Sequence, residues 1–220
     1  MHKAYALSGW SGLAGALLFF TGDMLFYGHF GPGSSFAIGA LATVQKSSTE
    51  RLFAGGIVGP IAACLCIVGF WSVYQNVKPE AKTLGRLMFA AFIVMMVVGS
   101  AVHAFWVAKG IAMKYCGEPN SDCAPALDYV NRYWNLLYIM SATPGYIGTV
   151  LLGYLVITGR TWYPRWGVFS NPAIFLAVLS IGASRIPSPL GAILVGGTIN
   201  LSVAAFFAAS LYFLKSHPQI

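Results

Sequence analysis

Two titratable side chains set in apolar surroundings carry most of the chemistry this sequence offers. Asp23, in TGDMLFYGHF at residues 21–30, follows a stretch that holds no charge from residue 4 to residue 22. His103, in GSAVHAFW, interrupts a second apolar run. A carboxylate in hydrocarbon is costly, so such residues pair with one another or mark a functional site. An imidazole titrates near neutral pH and, beside a carboxylate, can hold or relay a proton. Asp23 and His103 are the expected acid–base pair. Three roles stay open for Asp23: a boundary residue touching headgroup water, a structural tie to His103 or an arginine, or the centre of a functional pocket.

Depth supports the pairing. Counted from residue 5 and from Arg86 at about 1.5 Å per residue, Asp23 and His103 lie at matching levels, in what reads as the outer half of a membrane. Arg132, Asn135 and Tyr138 of NRYWNLLY fall in the same layer when counted from the opposite side, and Arg185 closes a later segment there. Trp106 is one turn from His103. Asn135, Trp106, Arg132 and Tyr138 are accordingly expected to contact a ligand. Asn200 of GGTINLS and Asn171 of FSNPAIF lie deeper. An amide in hydrocarbon needs a partner, worth about 0.6–2 kcal/mol, so both read first as glue between helices, with ligand contact the alternative for Asn200.

Other chemistries find less support. A metal site wants three or four ligands at defined spacing, and the outer layer offers only Asp23, His29 and His103 without a paired-histidine motif; neither metal nor cofactor is expected. Ser100 stands three residues before His103 and shares its face, but no oxyanion donor accompanies it. No phosphate-binding loop, haem pair or nucleotide fingerprint occurs.

The elements that must position these residues are membrane spans. The 220 residues are 57% hydrophobic and 9% charged, with mean hydropathy +0.71. A soluble domain carries roughly 25% charged residues. About 20 apolar residues cross about 30 Å of hydrocarbon, and that unit gives six transmembrane helices at 4–28, 50–77, 84–109, 130–158, 166–185 and 189–214. The expected fold is an all-α bundle forming one integral membrane domain over 1–220. Residues 35–44, SFAIGALATV, are too short to span and read as an interfacial or re-entrant segment. The first run lacks a small-residue cleavage site and is kept as a span.

Punctuation at the helix ends is legible. Ser47 three before Glu50 suggests a capping box opening the second span. Ser188 and Pro189 suggest a start for the last. Pro60, Pro144 and Pro172 fall inside expected helices, where each removes a backbone bond and invites a kink. Tyr133, Trp134, Trp162, Tyr163 and Trp166 read as interfacial belts. Lys3, Lys78, Lys82, Arg86, Arg160, Arg165 and Lys215 fall on one side against a single acid, Glu80, whereas the six basic residues opposite are diluted by four acids. Excess basic residues mark the cytoplasmic side, so both termini are expected there, in a cell membrane of bacterial inner-membrane type. Cys116 and Cys123, in the turn-rich YCGEPNSDCAP, then face an oxidising compartment and are expected to form a disulfide. Cys64 and Cys66 read as packing residues.

Taken together, GDMLFYG, AVHAFW, RYWN, YPRWGVFSNP and GGTINLS resemble a group of uncharacterised six-helix integral membrane proteins found largely in bacteria. The resemblance implies a six-helix fold and marks Asp23, His103, Asn135, Asn171 and Asn200. It brings no activity with it. The leading functional expectation is a membrane enzyme or binding protein for a lipid-like or otherwise apolar small molecule, in contact with membrane lipid and not nucleic acid. The alternatives are a small transporter or proton-coupled permease working as a homodimer, and a scaffold without a ligand. Whether the chain is an enzyme stays open.

Overall fold

A computed structural model of the chain describes residues 2–28, 30, 36–117, 121–183 and 185–216. His29, weighed above as a ligand, lies outside the described residues. The fold is all-helical: α1 His2–Tyr27, α2 Phe36–Lys46, α3 Thr49–Gln75, α4 Lys82–Cys116, α5 Ala124–Ile157, α6 Pro172–Ala183, α7 Leu190–Gly196 and α8 Thr198–Ser216. Short 3-10 turns at Pro79–Ala81 and Arg165–Ser170 precede α4 and α6. Among the described residues, four helices are long and apolar enough to cross a membrane, and the α7–α8 pair adds a fifth if its two halves make one span.

The last two expected spans are broken, and local chemistry explains both breaks. Pro172 opens α6 rather than kinking a longer helix. The residue before a proline is driven out of helical geometry, and Asn171 accordingly sits at ψ 134°. Its Oδ1 accepts from the Ala173 amide at 2.9 Å, a helix cap, while its Nδ2 donates to the Thr149 carbonyl at 2.8 Å. This leaves α6 only 12 residues long. The expected 189–214 helix divides at Gly196 and Gly197, where α7 and α8 meet at 79°. The Phe20 ring occupies the space a Gly197 side chain would need, and Tyr27 donates to the Gly196 carbonyl left open by the break, at 3.0 Å.

The long helices run antiparallel to their neighbours. A Cβ on Gly12 would lie 2.8 Å from the Gly69 Cα, so α1 and α3 meet with their backbones in contact. Phe70 of α3 stacks on Phe92 of α4 at 4.1 Å and tilts against Phe207 of α8 at 5.0 Å, with Met88 buried beside them. Ser141 of α5 donates to the Met95 carbonyl of α4 at 2.9 Å.

One end of the bundle is stapled by backbone. Lys78 donates to the Arg160 carbonyl and Trp162 to the Asn76 carbonyl, both at 2.9 Å, around an isolated bridge between Val77 and Thr161. Tyr163, expected at an interface, is buried and shares a 2.6 Å hydrogen bond with Ser210 of α8; burial pushes its phenol well above the ordinary value. The opposite end carries α2 and the α4–α5 loop, where the Cys116 and Cys123 sulfurs lie 2.08 Å apart. Ser48, not Ser47, caps α3, accepting from the Arg51 amide at 3.2 Å. Arg51 reaches back to the Met24 carbonyl at 2.8 Å and closes the end of α1.

Candidate functional site

Asp23 lies in the last two turns of α1, on the stripe it shares with Gly12, Ala16 and Phe19, and is 7% exposed. Its Oδ1 meets His103 Nε2 of α4 at 3.2 Å. Its Oδ2 accepts from Asn200 Nδ2 of α8 at 2.6 Å. Three helices distant in sequence thus converge on one carboxylate. Asn200 reaches it because the α7–α8 break resets the start of α8; counting along an unbroken helix had placed this amide at another depth.

The imidazole is tightly framed. Phe19 and Phe26 flank it at centroid distances of 4.9 and 5.4 Å. Its Nδ1 has no hydrogen-bond partner among the described residues. This nitrogen faces the α1–α3 seam, where Cβ atoms on Gly22 and Gly59 would sit 3.4 and 3.0 Å from it. Gly59 is required here because its missing side chain is the space that the base of His103 fills.

A cavity of about 1030 Å³ adjoins this cluster, at or slightly beyond the upper end of the roughly 300–1,000 Å³ usual for small-ligand sites. Its wall on α5 runs from Trp134 to Thr149, a rise of about 22 Å at 1.5 Å per residue. Asp23, Tyr27, His103, Trp106, Tyr138 and Asn200 line the end nearer the disulfide. Beyond them the walls are mainly apolar, from Met95 and Met96 of α4 to Pro172, Ala173 and Leu176 of α6. Three of the hydroxyls there are turned to backbone, Ser141 to Met95, Thr149 to Tyr146 and Ser202 to Thr198; Tyr146 and Ser180 also line this part of the wall.

Of the residues singled out from sequence, Asp23, His103, Trp106, Tyr138 and Asn200 all line this cavity. Arg132 and Asn135 do not. Both are exposed, and Arg132, 74% exposed, pairs with Asp128 at 2.8 Å one turn earlier on α5. Depth counting found the correct level but not the correct face. The inward stripe of α5 is Trp134, Tyr138, Ser141, Ala142 and Gly145, and its small residues were the available signal. Arg185, also exposed, is not a lining residue. Ser100 donates to the Val97 carbonyl of its own helix at 2.8 Å.

Sequence reasoning passed over an aromatic wall. Trp134, expected in a belt, stacks on Tyr138 at 5.4 Å and meets Trp106 at 5.6 Å. The Lys109 ammonium lies over both indoles, 3.6 Å from the Trp134 centroid and 4.5 Å from that of Trp106. The spacing His103, Trp106, Lys109 along one helical stripe was legible, since residues three apart are neighbours on a helix.

No curated protein and no solved structure matches this chain. A family model described as "Family of unknown function (DUF6796)" matches residues 1–217.

Proposed function

The chain belongs to this family of unknown function, and from its site we propose that it is a multi-pass membrane protein that binds an elongated, mostly apolar amphiphile in the cavity beside Asp23. One observation carries the reading: a long cavity whose ionisable groups, Asp23 and His103, sit together with Asn200 while the rest of its wall is mainly apolar, with scattered hydroxyls. Ligand sites of this kind are concave and largely apolar, with a few placed polar groups fixing orientation. The ligand's polar end faces Trp106, Trp134 and Tyr138, and its chain lies along α5 and α6. Asp23 and His103 hold the pocket's shape, because one carboxylate oxygen accepts from Asn200, the other is in ion-pair contact with His103, and the free imidazole nitrogen faces the glycine seam.

In this reading α1, α3, α4 and α5 are full spans, α6 with its 3-10 lead-in is a short fifth, and the bent α7–α8 pair is the sixth. Both termini lie in the cytoplasm of a cell membrane, as the basic residues at the stapled end favour. The break beside Asn200 favours a second reading, transport of the same ligand, since broken helices line binding sites in transporters; flux of a labelled amphiphile across liposomes would separate carrier from binder.

A thermal-shift screen of the detergent-purified protein against extracted membrane lipids tests the binding reading. A ligand at about a hundred times its Kd adds about 2.7 kcal/mol of stability, so a shift of several degrees is expected from at least one lipid fraction. A flat response across all fractions contradicts the proposal.

A further inference from the structure

Resting on that binding reading, we infer that the ligand's polar end is an anion: the structure assigns Lys109, Trp106 and Trp134 as a subsite for a carboxylate or phosphate oxygen carried on an apolar chain. Lys109 is half-buried, and among the described residues no carboxylate pairs with it. Of the other cations toward this end, Arg51 and Lys114 are directed at backbone, to the Met24 and Ser47 carbonyls at 2.8 Å each, Arg132 pairs with Asp128, and Lys46 and Arg185 are exposed. Lys109 instead rests on the faces of two indoles. The indole nitrogens of Trp106 and Trp134 are buried and lack a partner among the described residues. Ammonium and indole N–H are donors only, so the group that completes this cluster must be an acceptor. A neutral carbonyl could serve an indole but would leave the cation uncompensated; an oxyanion, with several acceptor oxygens and a charge, suits both kinds of donor.

Position agrees with chemistry. Lys109 stands six residues beyond His103 on α4, about 9 Å toward the disulfide end, so an anion there is set back from the Asp23 carboxylate. Asp23 is already engaged by His103 and Asn200. Trp106 and Trp134 both line the cavity, whereas Lys109 lies behind their rings, which places the proposed head group against the two indoles and leaves the more apolar walls to the chain. Charge-assisted hydrogen bonds of this kind are shorter and stronger than neutral ones.

The test compares chain-matched probes on the full-length protein in a neutral detergent: hexadecyl phosphate, hexadecanoate, hexadecanol and inorganic phosphate. At least one anionic probe is expected to bind more tightly than hexadecanol, and the order of the two anions identifies a phosphate or a carboxylate source. Lys109→Gln is expected to weaken the anionic probe about tenfold to a hundredfold while leaving hexadecanol unchanged. Lys109→Arg, which keeps the charge, is expected to retain most of the preference. Trp106→Phe and Trp134→Phe, which keep a ring but delete the donor, should each weaken the anion by about twofold to tenfold. Equal binding of hexadecanol and both anions, or an unchanged anion affinity in a folded Lys109→Gln protein, overturns the head-group assignment while leaving the amphiphile reading intact. Binding of inorganic phosphate as tight as hexadecyl phosphate overturns the role of the chain. Failure of all four probes overturns both.

Discussion

Asp23 meets His103 on one oxygen and Asn200 on the other, at 3.2 and 2.6 Å, in a setting where water reaches little of either ionisable side chain. Removing one partner of a buried pair leaves the other exposed to a cost of about 3–5 kcal/mol. His103→Ala is therefore expected to destabilise the protein by about 3 kcal/mol, and Asp23→Asn by less, because it deletes the charge that needs compensation. The double substitution should recover part of the loss, with a coupling energy of about 1–3 kcal/mol. Unfolding in mixed micelles measures this cycle. Additive losses would show that the contact contributes nothing of its own. The pairing was legible in the sequence, since both groups could be counted to one level. The bond to Asn200 was not, because it depends on a helix break that counting treats as continuous.

At the scale of elements, glycines decide how closely α1, α3 and α4 approach. A methyl on Gly59 would collide with the base of His103, and overpacking of this kind costs about 1–3 kcal/mol. Gly59→Ala is expected to lower the melting temperature, whereas Gly182→Ala, with nothing within 4 Å of the added carbon, should hold or raise it. Equal melting of the two variants would remove the steric account of the seam. The long apolar runs announced α1, α3, α4 and α5 directly, because length and hydropathy suffice for helices of this size. Their ends were less visible. The expected third span stops at Lys109, but α4 continues past it to Cys116 because Gly110 packs on Leu52 and Val44, and Lys114 finds the Ser47 carbonyl. The short α6 and the bent pair were hidden for a related reason: Asn171–Pro172 and Gly196–Gly197 read as features inside a helix, although each carries the chemistry of a terminus.

Across the whole molecule the two ends differ in kind. One is tied by backbone hydrogen bonds and the buried Tyr163–Ser210 contact; the other carries α2 and the disulfide between Cys116 and Cys123. Denatured, unreduced protein is expected to take alkyl groups on Cys64 and Cys66 alone, and a membrane-impermeant reductant applied to intact cells should release Cys116 and Cys123. Release only after the cells are opened would reverse the proposed orientation. The long apolar helices and the residues around Asp23 could be read from sequence; the cavity could not, since it is lined in part by a short helix and a bent one.

Ala142 projects into the middle of that cavity from α5, so native mass spectrometry of wild type beside Ala142→Trp tests the central claim most directly. The account predicts one retained amphiphile per chain on the wild type and none on a folded Ala142→Trp protein. Equal retention by both, or no bound amphiphile on the wild type, would contradict it.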